Sequence, residues 1–440
     1  MSNARNSRVK LRARGRISEL SDTDRAALIE REPMAEAGVS ETVTDIMVNV
    51  RNRGDAALMD MAARFDGVED LTIEIPRDAW AQAVDELDPL VRTALQRASV
   101  NIRRFHVAQL PDDVTVNVEP GVHITRRWVA LERVGIYAPG GTAAYPSSVL
   151  MGAVPARAAR VDEVIVCSPP GPDGRPPDAV LAACHIAEAD RLFSIGGAGA
   201  VAALAYGTET VPAVDAIVGP GNRWVTEAKR QVAGRVVIDS PAGPSEILVL
   251  ADHTADPDLV AYEVMAQAEH DPDAACVVVT TCADIAARIE AALARLIAEA
   301  PRVEIVTEAL AAFGAILIAD SLAEALRFTD AFAAEHLSIM TKDAAAHARA
   351  LRNAGTTFVG PAASVAFGDY ITGANHVLPT AGRSRSFSGL STHHFLRSFT
   401  IQEIDENGAA ALSADVVRLA EAEGLPAHAD AARARAGDDT

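Results

Sequence analysis

The sequence predicts an α/β protein built on two parallel sheets, and three observations carry that prediction. From Gly121 onward, short β-branched runs alternate with Ala-rich helical stretches, the texture of βαβ units. The runs fall into two separate series. Glycine turns stand at the ends of several of them, where open α/β sheets bind ligands. At 440 residues, 49 % of them hydrophobic, the chain is long enough to bury cores for two or three domains.

Each element follows in order. The first sixteen residues carry six Lys/Arg with no apolar stretch behind them, which predicts a solvated basic tail and no secretory signal. From Ile17 to Val107 apolar residues recur at three- and four-residue spacing, so this part is read as helical, with one short strand candidate at Leu71 to Ile75. The first strand series is Glu163 to Cys167, Leu192 to Ile195 and Asp215 to Val218. The second is Ser245 to Leu250, Cys276 to Thr280, Ala315 to Ala319, Leu337 to Thr341 and Thr357 to Val359, with the junction near Pro241-Ala242-Gly243-Pro244. Asp256 and Pro257 mark a helix start, and Asp271-Pro272 predicts its stop just after His270. Ser321-Leu322-Ala323-Glu324 reads as a capping box whose helix runs to Ala334, delivering Glu335-His336 to a helix-to-strand corner. Past Gly360 the pattern loosens into loop and short strand until a final helix near Ser413 to Glu423, and the Ala/Arg/Asp-rich end is expected to fray.

Composition excludes several functions. A net charge of -20, with no Lys/Arg cluster beside an aromatic platform, argues against nucleic acid. No run reaches the roughly 18 apolar residues that span a bilayer. Cys167, Cys184, Cys276 and Cys282 lie in or beside apolar runs without C-x-x-C spacing, which predicts neither a thiolate metal site nor disulfides and fits a reducing, cytoplasmic setting.

The chemistry concentrates in a few places. Gln267 and His270 lie three residues apart, on one face of a helix; alone, such a pair is more commonly a surface or core feature than a metal site. Gln, His and Asp side chains together supply the oxygen and imidazole donors that suit zinc, and the second half of the chain adds Asp369, His376, Glu423 and His428. Glu335-His336 puts two proton-transfer groups in one place; without context they also read as a solvated helix-end carboxylate and a dipole partner. Gly197-Ala198-Gly199-Ala200-Val201-Ala202 satisfies the dinucleotide fingerprint G-x-G-x-x-A after a strand, with Asp215 near the spacing of a ribose contact, although Ala-rich helices after glycine turns also produce this string. The turns Ala138-Pro139-Gly140-Gly141 and Gly219-Pro220-Gly221-Asn222 also stand at strand ends. His106, His123, His185, His253, His347, His393 and His394 lack acidic or ligand neighbours at useful spacing and are read as structural.

Seven blocks in order resemble the histidinol dehydrogenase family. They are Gly135-Ile136-Tyr137-Ala138-Pro139-Gly140-Gly141, Gly219-Pro220-Gly221-Asn222, Thr226-Glu227-Ala228-Lys229-Arg230, Ala242-Gly243-Pro244-Ser245-Glu246, Gln267-Ala268-Glu269-His270, Ala334-Glu335-His336-Leu337, and Gly368-Asp369-Tyr370 with Asn375-His376-Val377-Leu378-Pro379-Thr380. The resemblance implies two Rossmann-like α/β domains with a helical N-terminal segment and an extended C-terminal tail. The corresponding divisions are 1–118 (helical), 119–240 (the NAD side), 241–382 (zinc and catalytic residues) and 383–440 (a tail reaching the partner subunit).

It further implies a homodimeric enzyme with one zinc per subunit that uses NAD to oxidise L-histidinol, through the aldehyde, to L-histidine. Carried over residue by residue, the metal ligands are Gln267, His270, Asp369 and, from the other subunit, His428. Ser245, His336, His376 and Glu423 line the substrate together with those ligands, Glu335 and His336 are catalytic, and Tyr137, Gly199 and Asn222 lie along NAD. Gly199 departs from the family, which carries Gln there: backbone approach replaces the lost contact, or cofactor affinity is reduced, or the partner of the site differs. The rival readings are a related zinc/NAD dehydrogenase of another small polar diol such as a sulfonated propanediol, a zinc hydrolase in which Glu335 activates water, and a binding protein weakened in NAD use.

Overall fold

In the computed structural model, residues 9–31, 38–140 and 144–436 are described. Most of the basic tail, Gly141 and the last four residues lie outside them. The strands, in chain order, are β1 (Ala13–Arg16), β2 (Val114–Glu119), β3 (Val122–Ala130), β4 (Arg133–Tyr137), β5 (Glu163–Ser168), β6 (Arg191–Ser194), β7 (Ala216–Val218), β8 (Val237–Ile238), β9 (Glu246–Ala251), β10 (Ala275–Thr280), β11 (Gly314–Ile318), β12 (His336–Met340), β13 (Thr356–Val359) and β14 (Leu396–Ile404).

Two parallel sheets form, as the apolar runs predict. The first has strand order β6-β5-β4-β7-β8, and the second β1-β11-β10-β9-β12-β13. Strands covered on both faces read as continuous apolar runs, and β5, β9 and β10 are nearly or fully buried along their length. On the second sheet alternate residues feed two cores: Ile247, Val249, Cys276 and Val278 on one face, Leu248, Leu250, Val277 and Val279 on the other. The helices Val39–Arg53 and Asp55–Met61 cover the first sheet, joining Val43, Met47, Val50 and Leu58 to a core with Phe193 and Ile217. The chain forms two compact units, one of residues 1–108 and 132–395 and one of residues 109–131 and 396–440.

Four local expectations are corrected. Ala13–Arg16, read as tail, forms β1 and pairs in parallel with β11 at the edge of the second sheet, where Arg14 also bonds Glu290 at 2.8 Å. Leu71 to Ile75 makes a single bridge, Glu74 to Phe193, and no strand. The helix starting at Pro257 ends at Ala268, so Gln267 sits in its last turn and His270 lies just beyond, its N–H reaching the Gln267 carbonyl at 3.2 Å. The last helical region is longer than expected and double, Glu406–Ala422 and Pro426–Arg433.

The second unit holds a third sheet that the strand reading did not anticipate, antiparallel, in the order β14-β3-β2. Its outer strands are exposed along almost their whole length, so they lack the buried runs that announce the other two sheets. Among the described residues all four cysteines are free, and no helix is long and apolar enough to cross a membrane.

Candidate active site

The catalytic candidates gather at the amino-terminal edge of the second sheet. Glu335 immediately precedes β12, Ser245 precedes β9, and His336 pairs beside Ile247. Because helices return antiparallel to the strands, the carboxyl end of the Pro257–Ala268 helix arrives at the same edge with Gln267. Asp256 caps its start by accepting from the Asp258 N–H at 2.9 Å, as the sequence predicts. Ser321 caps the Leu322–Phe332 helix, whose end turns through Ala333 at φ 50°, a left-handed conformation unusual for alanine, and so directs Glu335 inward.

Glu335 and His336 are buried, 5 % and 4 % exposed, and share a main-chain anchor. The Glu246 N–H donates to Glu335 Oε2 at 2.7 Å, while the Glu246 carbonyl lies 3.1 Å from His336 Nδ1. A carbonyl can only accept, so Nδ1 carries a proton and the neutral ring presents its lone pair at Nε2. That atom has no hydrogen-bond partner among the described residues and stands 3.6 Å from Asp369 Oδ1. Burial pushes the Glu335 carboxyl up to about 8, against the pull of neighbouring His336. Burial opposes a charge on His336, but the Glu335 and Asp369 carboxylates outweigh it and push His336 up to about 9. The two therefore titrate as a pair.

Asp369 reaches this edge on the short helix Val365–Tyr370. Gly368 makes the approach possible: a Cβ there would lie 2.6 Å from the Phe358 ring, which neighbours His336 with centroids 6.3 Å apart. The segment beyond is pinned by Asn375, whose Nδ2 donates to the Met151 carbonyl at 2.7 Å, and His376 Nδ1 bonds the Asp369 carbonyl at 2.9 Å. Burial disfavours the charge on Asp369, yet His336, His376 and His270 together hold it below the usual carboxylate range. Burial lowers His376 and favours its neutral form.

The donor set fits a borderline divalent metal. Gln267, 3 % exposed, has a buried Oε1 without a hydrogen-bond partner, an acceptor that burial penalises unless something binds it. Asp369 and His270 supply a carboxylate and an imidazole close enough to feel one another's charge. Among the described residues no three His, Cys, Asp or Glu side chains form a metal-holding group. Glu423, at the carboxyl cap of Glu406–Ala422, and His428, within Pro426–Arg433, belong to the second unit and are exposed.

The cofactor candidates lie at the opposite kind of edge, the carboxyl ends of the first sheet. Its order reverses between β4 and β7, and the crevice at such a switch point is where dinucleotides bind. Tyr137 ends β4, and Gly219-Pro220-Gly221-Asn222 follows β7. The Gly197 N–H donates to Tyr137 Oη at 3.1 Å, and burial raises this phenol to about 12. Asn222 Oδ1 caps the Arg223–Val232 helix, accepting from Trp224 and Val225 N–H at 3.1 and 3.2 Å. Gly199 is buried in the Gly197–Tyr206 helix, where a Cβ would stand 3.1 Å from Met61 Sδ. Asp215 precedes β7, on the edge away from the glycine turns, and accepts the Glu132 and Arg133 N–H groups at 3.2 and 3.0 Å; a ribose contact from it is ruled out.

Two buried ion pairs escaped the sequence reading. Lys229 and Asp239 pair inside the first sheet's loops, Lys229 Nζ donating to the Gly219 carbonyl at 3.0 Å and Asp239 accepting the Gly219 N–H at 2.8 Å. Arg31 pairs with Glu246 at 2.9 Å. A charged residue opening an apolar strand, as Glu246 does before Ile247-Leu248-Val249-Leu250, is the one local signal that marked it.

Known proteins resemble the chain along nearly its whole length. A family model described as histidinol dehydrogenase matches residues 29–436. A histidinol dehydrogenase of Natronomonas pharaonis is 48 % identical over 94 % of this chain and 97 % of its own length. One of Methanosarcina mazei is 45 % identical over 96 % and 97 %. The crystal structure of histidinol dehydrogenase from Elizabethkingia anophelis superposes with a TM-score of 0.92 at 31 % identity, covering 97 % of this chain and 98 % of that one.

Proposed function

The chain belongs to the histidinol dehydrogenase family, NAD-dependent oxidoreductases of histidine biosynthesis, and from that premise we propose that it oxidises L-histidinol twice, through L-histidinal, to L-histidine. The observation that carries this reading is the buried pair Glu335-His336, with His336 Nε2 3.6 Å from Asp369 Oδ1, together with a buried Gln267 Oε1 that has no hydrogen-bond partner among the described residues. Gln267, His270 and Asp369 would hold a zinc ion and Tyr137, Gly199 and Asn222 would lie along NAD, the metal fixing the substrate's nitrogen atoms and the nicotinamide accepting hydride.

The chain's own groups then divide the work. His336 Nε2 takes the hydroxyl proton as the alcohol is oxidised. Its Nδ1, held by the Glu246 carbonyl, keeps the ring aimed. Glu335, whose carboxyl burial raises to about 8, acts in its ionised form: it withdraws a proton from the water that adds to the aldehyde and returns it to the aldehyde oxygen, and the resulting gem-diol undergoes the second oxidation. Ser245 and His376 border the substrate on the same edge of the sheet. Holding the aldehyde between the two steps keeps a reactive compound from escaping into solution and condensing with amines.

We assign the remaining ligand, His428, and the substrate contact Glu423 to a second copy of the chain. The exposure of both side chains in the second unit supports this assignment. So does the exposed apolar surface of the second unit, where Val114, Val116 and Val118 on β2 and Phe399, Ile401 and Ile404 on β14 face solvent. A homodimer with shared sites, working in the cytoplasm, follows from the same reading.

The test compares substrates side by side. Purified, zinc-supplied protein with NAD is expected to convert L-histidinol to L-histidine, identified by amino-acid analysis. NADH formation from a sulfonated propanediol but not from L-histidinol would transfer the machinery to that substrate, and hydrolysis without NADH would make the protein a zinc hydrolase.

A further inference from the structure

Glu246 connects the two reacting groups to a buried arginine far away in sequence. Its main chain holds Glu335 through the N–H and His336 through the carbonyl. Its side chain points into the interior, where Oε1 accepts from Arg31 Nε at 2.9 Å and from the Ala381 N–H at 2.7 Å, and Oε2 accepts from Arg31 Nη2 at 2.9 Å. The side chains of this two-pronged pair are 6 % and 4 % exposed. Arg31 is fixed in turn: it donates to the Leu28 carbonyl at 2.5 Å and the Phe332 carbonyl at 2.9 Å, and its guanidinium lies 3.5 Å over the Phe332 ring. Phe332 ends the helix that leads through left-handed Ala333 to Glu335. A closed circuit results, with Arg31 gripping both the strand that anchors Glu335 and His336 and the helix end that delivers them.

We propose that Arg31 and Glu246 are positioning residues of the dehydrogenase, holding Glu335 and His336 in their reacting geometry from outside the site. A paired arginine and carboxylate cut off from water are costly to separate, because removing one leaves the other charged and buried. Without Arg31 the Glu246 carboxylate must move toward water or gain a proton, and the main-chain atoms that grip Glu335 and His336 move with it. Displacing a reacting group by about 1 Å lowers a rate on the order of 10²-fold.

This inference rests on the proposed roles of Glu335 and His336, and one experiment separates the two claims. Full-length unaltered, Arg31→Met, Arg31→Lys, Glu335→Gln and Arg31→Met/Glu335→Gln proteins are assayed for NADH formation from L-histidinol with zinc supplied, alongside bound zinc and thermal unfolding. Arg31→Met is expected to lower kcat by roughly 10–100-fold while KM and bound zinc stay within about twofold. Arg31→Lys, which keeps the charge but not the fork, recovers part of the rate. In the Glu335→Gln background the same Arg31→Met change costs less, because the part of its effect that runs through Glu335 is already lost and only the part through His336 remains.

An unchanged kcat in folded Arg31→Met overturns the inference, as does an equal loss in both backgrounds or a loss that follows the zinc content or folded fraction. If Arg31→Met does not fold, Arg31→Lys carries the test, and an unaltered kcat there overturns the inference. Absence of NADH from the unaltered protein overturns the functional reading and this inference with it.

Discussion

His336 Nε2 stands 3.6 Å from Asp369 Oδ1, while the other ring nitrogen is tied to a main-chain carbonyl. The main chain thereby fixes one ring nitrogen and leaves the other facing the carboxylate that would help hold the metal. Replacing it should harm chemistry more than binding. His336→Gln is expected to lower kcat by about 10²–10⁴-fold with little change in KM, read by steady-state NADH formation. Glu335→Gln keeps the shape that accepts the Glu246 N–H but loses the base, so the first oxidation should outlive the second and trapped aldehyde should accumulate. Equal slowing of both steps would remove Glu335 from water activation.

The metal shell yields a second prediction. Asp369→Ala and Gln267→Ala proteins should retain less zinc on dialysis than the unaltered protein, by at least the roughly 10–100-fold that loss of a supporting partner costs a metal site. His428→Ala and His270→Ala proteins should each be inactive. Refolded together they should recover up to about a quarter of the activity, since half of randomly paired dimers carry one intact site out of two. Demonstrated mixed dimers without activity would contradict a shared site.

Gly199 provides a packing test. Its Cβ position lies 3.1 Å from Met61 Sδ and 3.5 Å from Leu58 Cδ2, so the helix Asp55–Met61 occupies space that a longer side chain would need. Gly199→Gln is expected to destabilise by about 1–3 kcal/mol through overpacking, and Met61→Ala in the same chain to relieve part of that loss. Urea unfolding of the four proteins measures both terms. Simple additivity would place the new side chain elsewhere.

Stability should fall on the acid side through His106. Burial holds this fully buried imidazole below its ordinary value, and its Nδ1 lies 2.8 Å from the Ile102 carbonyl. In the unfolded chain it takes a proton below about pH 6.5. The depressed folded value means its contribution is intact above that pH and is lost as pH falls toward the folded value. Unfolding free energies of the unaltered and His106→Leu proteins, measured above and below about pH 6.5, should show a shallower acid loss in the variant.

The sequence made the two buried sheets legible and left the rest obscure for identifiable physical reasons. Strands such as Cys276 to Thr280 are buried on both faces, so their composition alone announces them. β1 is four residues of mixed polarity held by main-chain bonds at a sheet edge, and β2 and β14 are exposed, so none of them carries a burial pattern. Within the site, the reacting and ligating side chains could be read from their blocks, because that chemistry demands particular residue types. What escaped was support. Arg31 lies 215 residues from its partner Glu246, and Glu246 acts on Glu335 and His336 through main-chain atoms that any residue would offer. Gly199 reads as a phosphate-approach glycine because its string fits, whereas the packing of its Cβ position against Met61 is set by tertiary contacts that the string does not carry.

The central claim is that one site carries an alcohol through two oxidations without releasing the aldehyde. The most direct measurement is the yield of NADH when a limiting, known amount of L-histidinol is consumed to completion by the zinc-supplied protein in excess NAD. The expected yield is two NADH and one L-histidine for each L-histidinol. One NADH with L-histidinal free in solution, or none at all, would contradict it.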